Sequence, residues 1–336
     1  MKDIITLSHG SGGKMTHKLI NEIFHTQMKN DILIEKGDSA ILENIHGKLA
    51  FTTDSYVITP IKFPGGDIGK IAVCGTVNDL AVSGAKPLYL SCGFIIEEGL
   101  EIEELKGIVT SMVKACEEAD VKIVTGDTKV VPKGTADKIF INTAGIGVIS
   151  EDHSYSTKRI SPNDKVLISG NIGDHEATIL IARENFNVKA KLESDCAPLN
   201  NMIQDLVNKF GEKIHVMRDV TRGGLASTLN EFIENTNLSI KLYEDKIPLS
   251  NETNGLCEML GLDPLYMANE GKITLIVDPT IAGDVVEIMR GNVYGRNATV
   301  IGEVIEDNKG KVYMKTNVGG TRLIDMLTGE QLPRIC

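Results

Sequence analysis

Cys336 ends the chain behind Pro333, Arg334 and Ile335, so nothing after its thiol folds back over it except its own carboxylate. Pro333 removes a backbone donor and biases Leu332 toward an extended conformation, which keeps a helix from running into these residues. A reachable thiol on a short arm is expected, free to leave the body of the protein and return. The plainer reading is a frayed end whose last residue happens to be cysteine. The other five cysteines, at positions 74, 92, 116, 196 and 257, make no CxxC and no close pair. That spacing suits neither a disulfide framework nor a zinc site. Cys116 continues the apolar stripe Ile102, Leu105, Val109, Met112, Val113 at helical spacing and is expected in a core.

Four aspartates sit near the ends of apolar segments: Asp38 before Ser39, Asp54 after Phe51-Thr52-Thr53, Asp79 within Val77-Asn78-Asp79-Leu80-Ala81, and Asp127 after Val124-Thr125-Gly126. Carboxylates in apolar stretches are costly to bury unless paired or metal-bound, so a Mg²⁺ cluster bridging nucleotide phosphates accounts for several at once. Each taken singly reads first as a helix cap or turn residue, and it is the four together that point to metal. Lys129, two residues beyond Asp127, would face a phosphate or the reacting group. The opening Ser8-His9-Gly10-Ser11-Gly12-Gly13-Lys14 is not a Walker loop, since Ser8 stands where the first glycine belongs and Met15 where Ser or Thr belongs. It is not a dinucleotide fingerprint either, because Met15 takes the place of the third glycine. Small residues with a lysine still let backbone N–H groups approach phosphate oxygens closely, and a flexible N-terminal segment explains them equally. Further on, Asp219-Val220-Thr221-Arg222-Gly223-Gly224 opens a helix and Asn269-Glu270-Gly271 precedes a strand. The glycine pair is also compatible with a simple tight turn.

These residues need a scaffold, and 336 residues are too many for one core, so two domains are expected. The first half alternates strand-like runs (49–53, 88–96, 121–125, 139–149) with an amphipathic helix over 101–119. The polar stretch Glu151 to Asp164, with Ser161-Pro162-Asn163, reads as a boundary. Beyond it come a strand at 165–169, helices at 174–184, 198–210, 223–235 and 281–289, and strands at 272–277, 299–304 and 311–315. The expected organisation is α/β throughout: a domain over 1–152, a second over 153–328, and a flexible tail over 329–336. A net charge of −11 and a pI near 5.2 argue against nonspecific nucleic-acid binding and against anionic membrane surfaces. No run reaches the apolar length of a membrane span, and Met1-Lys2-Asp3-Ile4 lacks the features of a signal peptide. A cytoplasmic protein is expected.

Taken together, His9-Gly10-Ser11-Gly12-Gly13, Thr52-Thr53-Asp54, Asn78-Asp79-Leu80-Ala81, Thr125-Gly126-Asp127-Thr128-Lys129, Asp174-His175, Asp219-Val220-Thr221-Arg222-Gly223-Gly224, Asn269-Glu270-Gly271 and Pro333-Arg334-Ile335-Cys336 resemble the hydrogenase maturation family HypE. That family belongs to the aminoimidazole ribonucleotide synthetase (PurM-like) superfamily. The aspartate motifs alone point only to the superfamily, whereas the glycine-rich opening with the cysteine end marks the family. One residue departs from the pattern: Glu176 stands where a glycine is expected after Asp174-His175.

The resemblance implies two PurM-like α/β domains, ATP and Mg²⁺ in the N-terminal one, and a homodimer. It implies a carbamoyl dehydratase. A partner carbamoyltransferase, HypF, loads Cys336; ATP-dependent loss of water makes a thiocyanate; and the cyano group passes to iron on HypC and HypD for [NiFe]-hydrogenase. Asp54, Asp79 and Asp127 would hold the metal. His9, Gly10, Gly12, Gly13, Lys14, Asp38, Asn78, Asp219, Thr221 and Arg222 would contact the nucleotide. Lys129 would stabilise charge on the transferred group, and Glu270 would take the amide proton, with His9 and His175 the next candidates. Two other readings compete. One is a small-molecule kinase or synthetase of the same superfamily, of the thiamine-monophosphate kinase or selenophosphate synthetase type. The other is a noncatalytic nucleotide-binding scaffold that uses Cys336 only as a tether.

Overall fold

Period-two and period-3.6 apolar patterns alternate along the chain, and each resolves into the matching element. The computed structural model describes residues 3–35, 37–149, 153–184, 191–234, 236–307, 309–329, 332 and 334–336. Of the positions read above, Met1, Lys2, Glu151, Asn235 and Pro333 lie outside the described residues. The α/β class expected from the sequence is what the structure shows. The chain divides into two compact units, one of Met1–Ala81, Ala85–Glu151 and Arg334–Cys336, the other of Val82–Gly84 and Asp152–Pro333.

The first unit runs α1 (Lys14–Leu19), prolonged by a wider turn over Ile20–His25, then β1 (Lys48–Tyr56), the short pair β2 (Lys62–Phe63) and β3 (Gly66–Asp67), α2 (Ile68–Val82), β4 (Lys86–Glu97), α3 (Ile102–Ala119), β5 (Lys122–Val131) and β6 (Ile139–Ile149). Its main sheet has the order β1-β6-β4-β5, with only β4 and β5 parallel. Alternation decides the faces: Leu90, Cys92, Phe94 and Ile96 of β4 are buried, while Leu49 and Phe51 of β1 and Ile95 of β4 are exposed. α3 buries the stripe Leu105, Ile108, Val109, Met112, Cys116. It stops at Asp120, which adopts a left-handed conformation and donates its N–H to Cys116 O. α2 is buried at every position but Lys70 and Asp79 and packs so tightly that a Cβ on Gly69 would stand 2.6 Å from Ile108 O. Thr143 of β6 donates to Ala72 O of this helix at 3.0 Å.

The second unit runs β7 (Lys165–Ile168), α4 (Asp174–Glu184), α5 (Asn200–Phe210), β8 (Ile214–Asp219), α6 (Gly224–Ile233), β9 (Leu238–Tyr243), α7 (Asn251–Leu260), β10 (Ile273–Val277), α8 (Ala282–Gly291), β11 (Thr299–Glu306), β12 (Val312–Lys315) and β13 (Thr321–Ile324). Seven strands lie in the order β13-β12-β9-β11-β7-β10-β8. Every residue of β10 is buried, as an apolar run covered on both faces requires. Phe232 of α6 anchors the core with Val166, Ile240, Ile276 and Ile301. α1, β2, β3, α2, β9, α7 and β13 had no counterpart among the elements expected from sequence. No helix among the described residues is long and apolar enough to cross a membrane.

Candidate active site

The glycine-rich opening is shaped by short-range bonds. Thr6 N–H donates to His9 Nδ1 at 3.0 Å, closing a tight turn over Leu7–Gly10. That turn lies against β5 closely enough that a Cβ on Gly10 would stand 2.8 Å from Val130. Gly12 has φ +79°, a conformation glycine takes without strain, and donates to Thr16 Oγ1 at 2.9 Å. Gly13 then caps α1, and Lys14 is its first residue. A cleft of about 260 Å³ opens between this segment and the edge strand β5. Ile20, Phe24, Met28 and Phe94 form its apolar part, whereas Gly10, Gly12, Asp127 and Lys129 supply polar groups. A flat apolar group joined to an anion matches such a lining.

Asp127 and Lys129 stand two apart on β5 and so share a face. Lys129 Nζ lies 2.8 Å from Asp127 Oδ1 and 2.7 Å from Oδ2. That ammonium holds the Asp127 carboxyl below the usual carboxylate range, outweighing the small effect of burial.

Asp54 and Asp79 belong to the opposite face of the same sheet. In register, Asp127 stands in a row with Gly93, Asn142 and Ser55, while Asp54 stands in the next row with Thr143 and Cys92. Adjacent rows point to opposite sides. Thr52 Oγ1 donates to Asp79 Oδ2 at 2.8 Å, and Tyr56 OH reaches Asp54 Oδ2 at 3.4 Å, so these two carboxylates share the face covered by α2. The expectation of one cluster of Asp54, Asp79 and Asp127 is therefore not met within the chain. Among the described residues no group of three or more His, Cys, Asp or Glu side chains is placed to hold a metal ion. The reason is strand parity, which a run of three separate motifs does not reveal. Asn78 is buried beside Asp79 in α2, and Asp38 is exposed on an irregular segment.

Cys336 belongs to this first unit. Val57 N–H donates to Cys336 O at 3.1 Å and Thr59 N–H to Arg334 O at 3.3 Å, so the last residues lie beside 57–59 like a short added strand. Ile335 is buried, and the Arg334 guanidinium pairs with Asp137. Cys336 is half-buried, in contrast to the other five cysteines, all of which are buried.

Glu270, Asp219, Thr221 and Arg222 belong to the second unit. Asp219 ends β8 opposite Ile273, Thr221 O accepts from Gly224 N at 3.0 Å, and Arg222 is exposed. Asn269 Oδ1 accepts from Gly173 N at 2.8 Å, tying the segment before β10 to the start of α4. Glu270 is itself buried. Its N–H donates to Asp195 Oδ1 at 3.0 Å, and Gly271 N–H donates to Oδ2 at 3.3 Å. Lys272 Nζ pairs with Asp195 at 3.0 Å, and His175 Nδ1 lies 2.7 Å from Ser194 Oγ. Burial alone would raise the Asp195 carboxyl, but the charges of Lys272 and His175 and the Glu270 N–H hold it below its ordinary value. Glu176 occupies the place expected for glycine, and its Oε2 accepts from Ala268 N at 2.7 Å. Burial pushes its carboxyl up to about 7. Ser194, Asp195 and Lys272 were missed by sequence reasoning. The only hint was a pair of charged residues placed next to the apolar runs that begin at Cys196 and Ile273.

The AIR synthase related protein N-terminal domain family matches residues 36–149, and the corresponding C-terminal domain family matches residues 161–315. These matches define the class: a PurM-like protein of two successive AIR synthase-type domains. Within it, the chain belongs to the HypE family, the carbamoyl dehydratases of hydrogenase maturation. It is 48% identical to the carbamoyl dehydratase HypE of Bradyrhizobium diazoefficiens over 332 residues, 99% of this chain and 96% of that protein. A crystal structure of the hydrogenase maturation protein HypE in complex with ATP superposes with a TM-score of 0.94 at 48% identity, covering 98% of this chain and 99% of that one. A chain of a HypE–HypF complex superposes with a TM-score of 0.81 at 47% identity, covering 92% of this chain and 99% of that one.

Proposed function

We propose that this chain dehydrates an S-carbamoyl group on Cys336 to a thiocyanate at the expense of ATP. The observation that carries the reading is the gathering of the glycine-rich turn, Asp127 and Lys129 around one cleft in the unit that also holds Cys336. The relative crystallised with ATP supports that nucleotide as the occupant. An amide loses oxygen slowly because oxide is a poor leaving group. Transfer of the γ-phosphoryl to the amide oxygen gives an O-phosphorylated thioimidate and ADP, with one N–H proton lost. Loss of the second N–H proton expels phosphate and leaves S–C≡N. Lys129 stabilises charge on the transferred phosphoryl, and the buried carboxylate of Glu270 takes the amide proton. Backbone N–H groups around Gly10 and Gly12, with His9, Gly13 and Lys14, bind phosphate oxygens.

Carboxylate oxygens suit Mg²⁺, which would offset phosphate charge when bound, and Asp54 and Asp79 would supply ligands from their shared face, but Asp127 stands on the opposite one, so among the described residues the three build no single metal site. The HypE–HypF complex of a relative supports a HypF-type carbamoyltransferase as the donor to Cys336. The cyano group then passes to iron on HypC and HypD, for the ligands of [NiFe]-hydrogenase. The exposed sheet face carrying Leu49, Phe51 and Ile95 supports a homodimer, and kinship with hydrogenase maturation factors supports a cytoplasmic enzyme.

Intact mass after incubation with carbamoyl donor, carbamoyltransferase and MgATP tests the scheme. The parent gains a carbamoyl group and then loses the mass of one water only with ATP; Cys336→Ala gains nothing. A loaded chain that hydrolyses ATP yet never loses water would overturn the dehydration.

A further inference from the structure

Glu270 is held by a device with no sequence signature. Its N–H and that of Gly271 both donate to the single carboxylate of Asp195, at 3.0 and 3.3 Å. Its carbonyl accepts from Ala197 N–H at 3.4 Å, so the segment 195–197 grips the Glu270 backbone from both its donor and its acceptor side. The approach is so close that a Cβ on Gly271 would stand 1.9 Å from Asp195 O, which only glycine tolerates. Lys272 closes the arrangement: its Nζ pairs with Asp195 Oδ2 at 3.0 Å and donates to Gly271 O at 3.0 Å. The side chains of Asp195 and Lys272 are 5% and 9% exposed.

We propose that Asp195, locked by Lys272, is the positioning residue for Glu270, fixing the backbone that carries its carboxylate. The proposal rests on the reading of Glu270 as the base. Desolvation makes a buried ion pair a poor source of net stability, and apolar replacements of such pairs are often neutral or better. A carboxylate, by contrast, accepts two adjacent peptide N–H groups at once in a fixed orientation, which a neutral amide with one acceptor oxygen does not reproduce. The arrangement therefore suits orientation better than stability. Misplacing a reacting group slightly is costly in rate and leaves remote binding untouched.

A double-mutant cycle on the full chain tests this, read as single-turnover loss of water from carbamoylated Cys336 with MgATP. Glu270→Gln is expected to slow the step about a hundredfold or more. Asp195→Asn is expected to slow it about tenfold or more, with unchanged ATP affinity and unchanged carbamoyl loading. In the Glu270→Gln background, Asp195→Asn should cost nothing further, because it acts through a base already removed. Equal losses in both backgrounds, or a parental rate for Asp195→Asn alone, overturn the positioning role while leaving Glu270 as base. A parental rate for Glu270→Gln removes the base assignment and this proposal with it. Should Asp195→Asn fail to fold around an uncompensated Lys272, Asp195→Asn with Lys272→Met removes both charges and retains one acceptor oxygen. That double variant enters the same cycle: a loss confined to the Glu270 background supports the positioning role, and equal losses in both backgrounds overturn it.

Discussion

Lys129 and Asp127 lie on one strand face two residues apart, and the ammonium holds the carboxyl below its ordinary value. This pairing was not expected, because the strand read from the sequence ended at 125, whereas β5 runs on to Val131 and period-two alternation then places i and i+2 together. Removing the ammonium in Lys129→Ala leaves the glycine turn and the apolar lining in place. Dehydration by this variant should fall about a hundredfold or more while calorimetric ATP affinity stays near that of the parent. A comparable fall in affinity would move Lys129 from the reacting group to nucleotide binding. The partnership of Asp195 with Glu270 was not readable either. The two are 75 positions apart and belong to different segments, so only tertiary packing puts a carboxylate under that backbone.

At the scale of elements, helices with one apolar stripe were legible and a helix buried on nearly every side was not. α3 shows a single buried stripe and was expected almost to the residue, whereas α2 is buried on nearly every side and offers no 3.6-residue period to read. α7 was hidden for another reason, since Gly255 interrupts its middle. Nothing lies within 4 Å of a Cβ built on Gly255, and its φ is not positive. Gly255→Ala should therefore stabilise the protein by about 0.5–1 kcal/mol in urea unfolding, with activity unchanged. At the start of α4, the Glu176 carboxyl is raised by burial from an ordinary value of 4.5 to about 7. Below pH 4.5 it is protonated whether folded or unfolded, so its contribution is complete there. Between the two values the folded state binds the extra proton, and up to about 3 kcal/mol of stability is lost as pH rises toward 7. Glu176→Gln should flatten that decline, narrowing the difference in urea midpoint between roughly pH 5 and pH 8. An unchanged difference would show that Glu176 titrates normally.

For the whole molecule, the exposed face of the first unit's four-stranded sheet carries Leu49 at 61%, Phe51 at 71% and Ile95 at 44% exposure. Leu49 and Phe51 are neighbours on that face of β1, and adjacent exposed apolar side chains mark an association surface. If that face pairs two copies, Phe51→Glu should convert a dimer to a monomer in sedimentation at micromolar concentration, with the fold retained by circular dichroism. A variant that sediments as the parent does would locate the dimer contact elsewhere.

The α/β class, the unmatched cysteines, the terminal thiol and the family motifs were determined by local sequence, because each depends on residue type and short spacing. Periodicity and motif spacing are short-range properties, and they survive in a linear reading. Which carboxylates meet was decided only by tertiary structure. Strand parity sends Asp127 to one face and Asp54 with Asp79 to the other. The docking of Arg334 and Cys336 beside Val57 and Thr59 depends on main-chain bonds, which carry no residue signature. The burial that lifts Glu176 and joins Asp195 to Lys272 depends on what covers those groups, and desolvation is a property of the surroundings rather than of the residue.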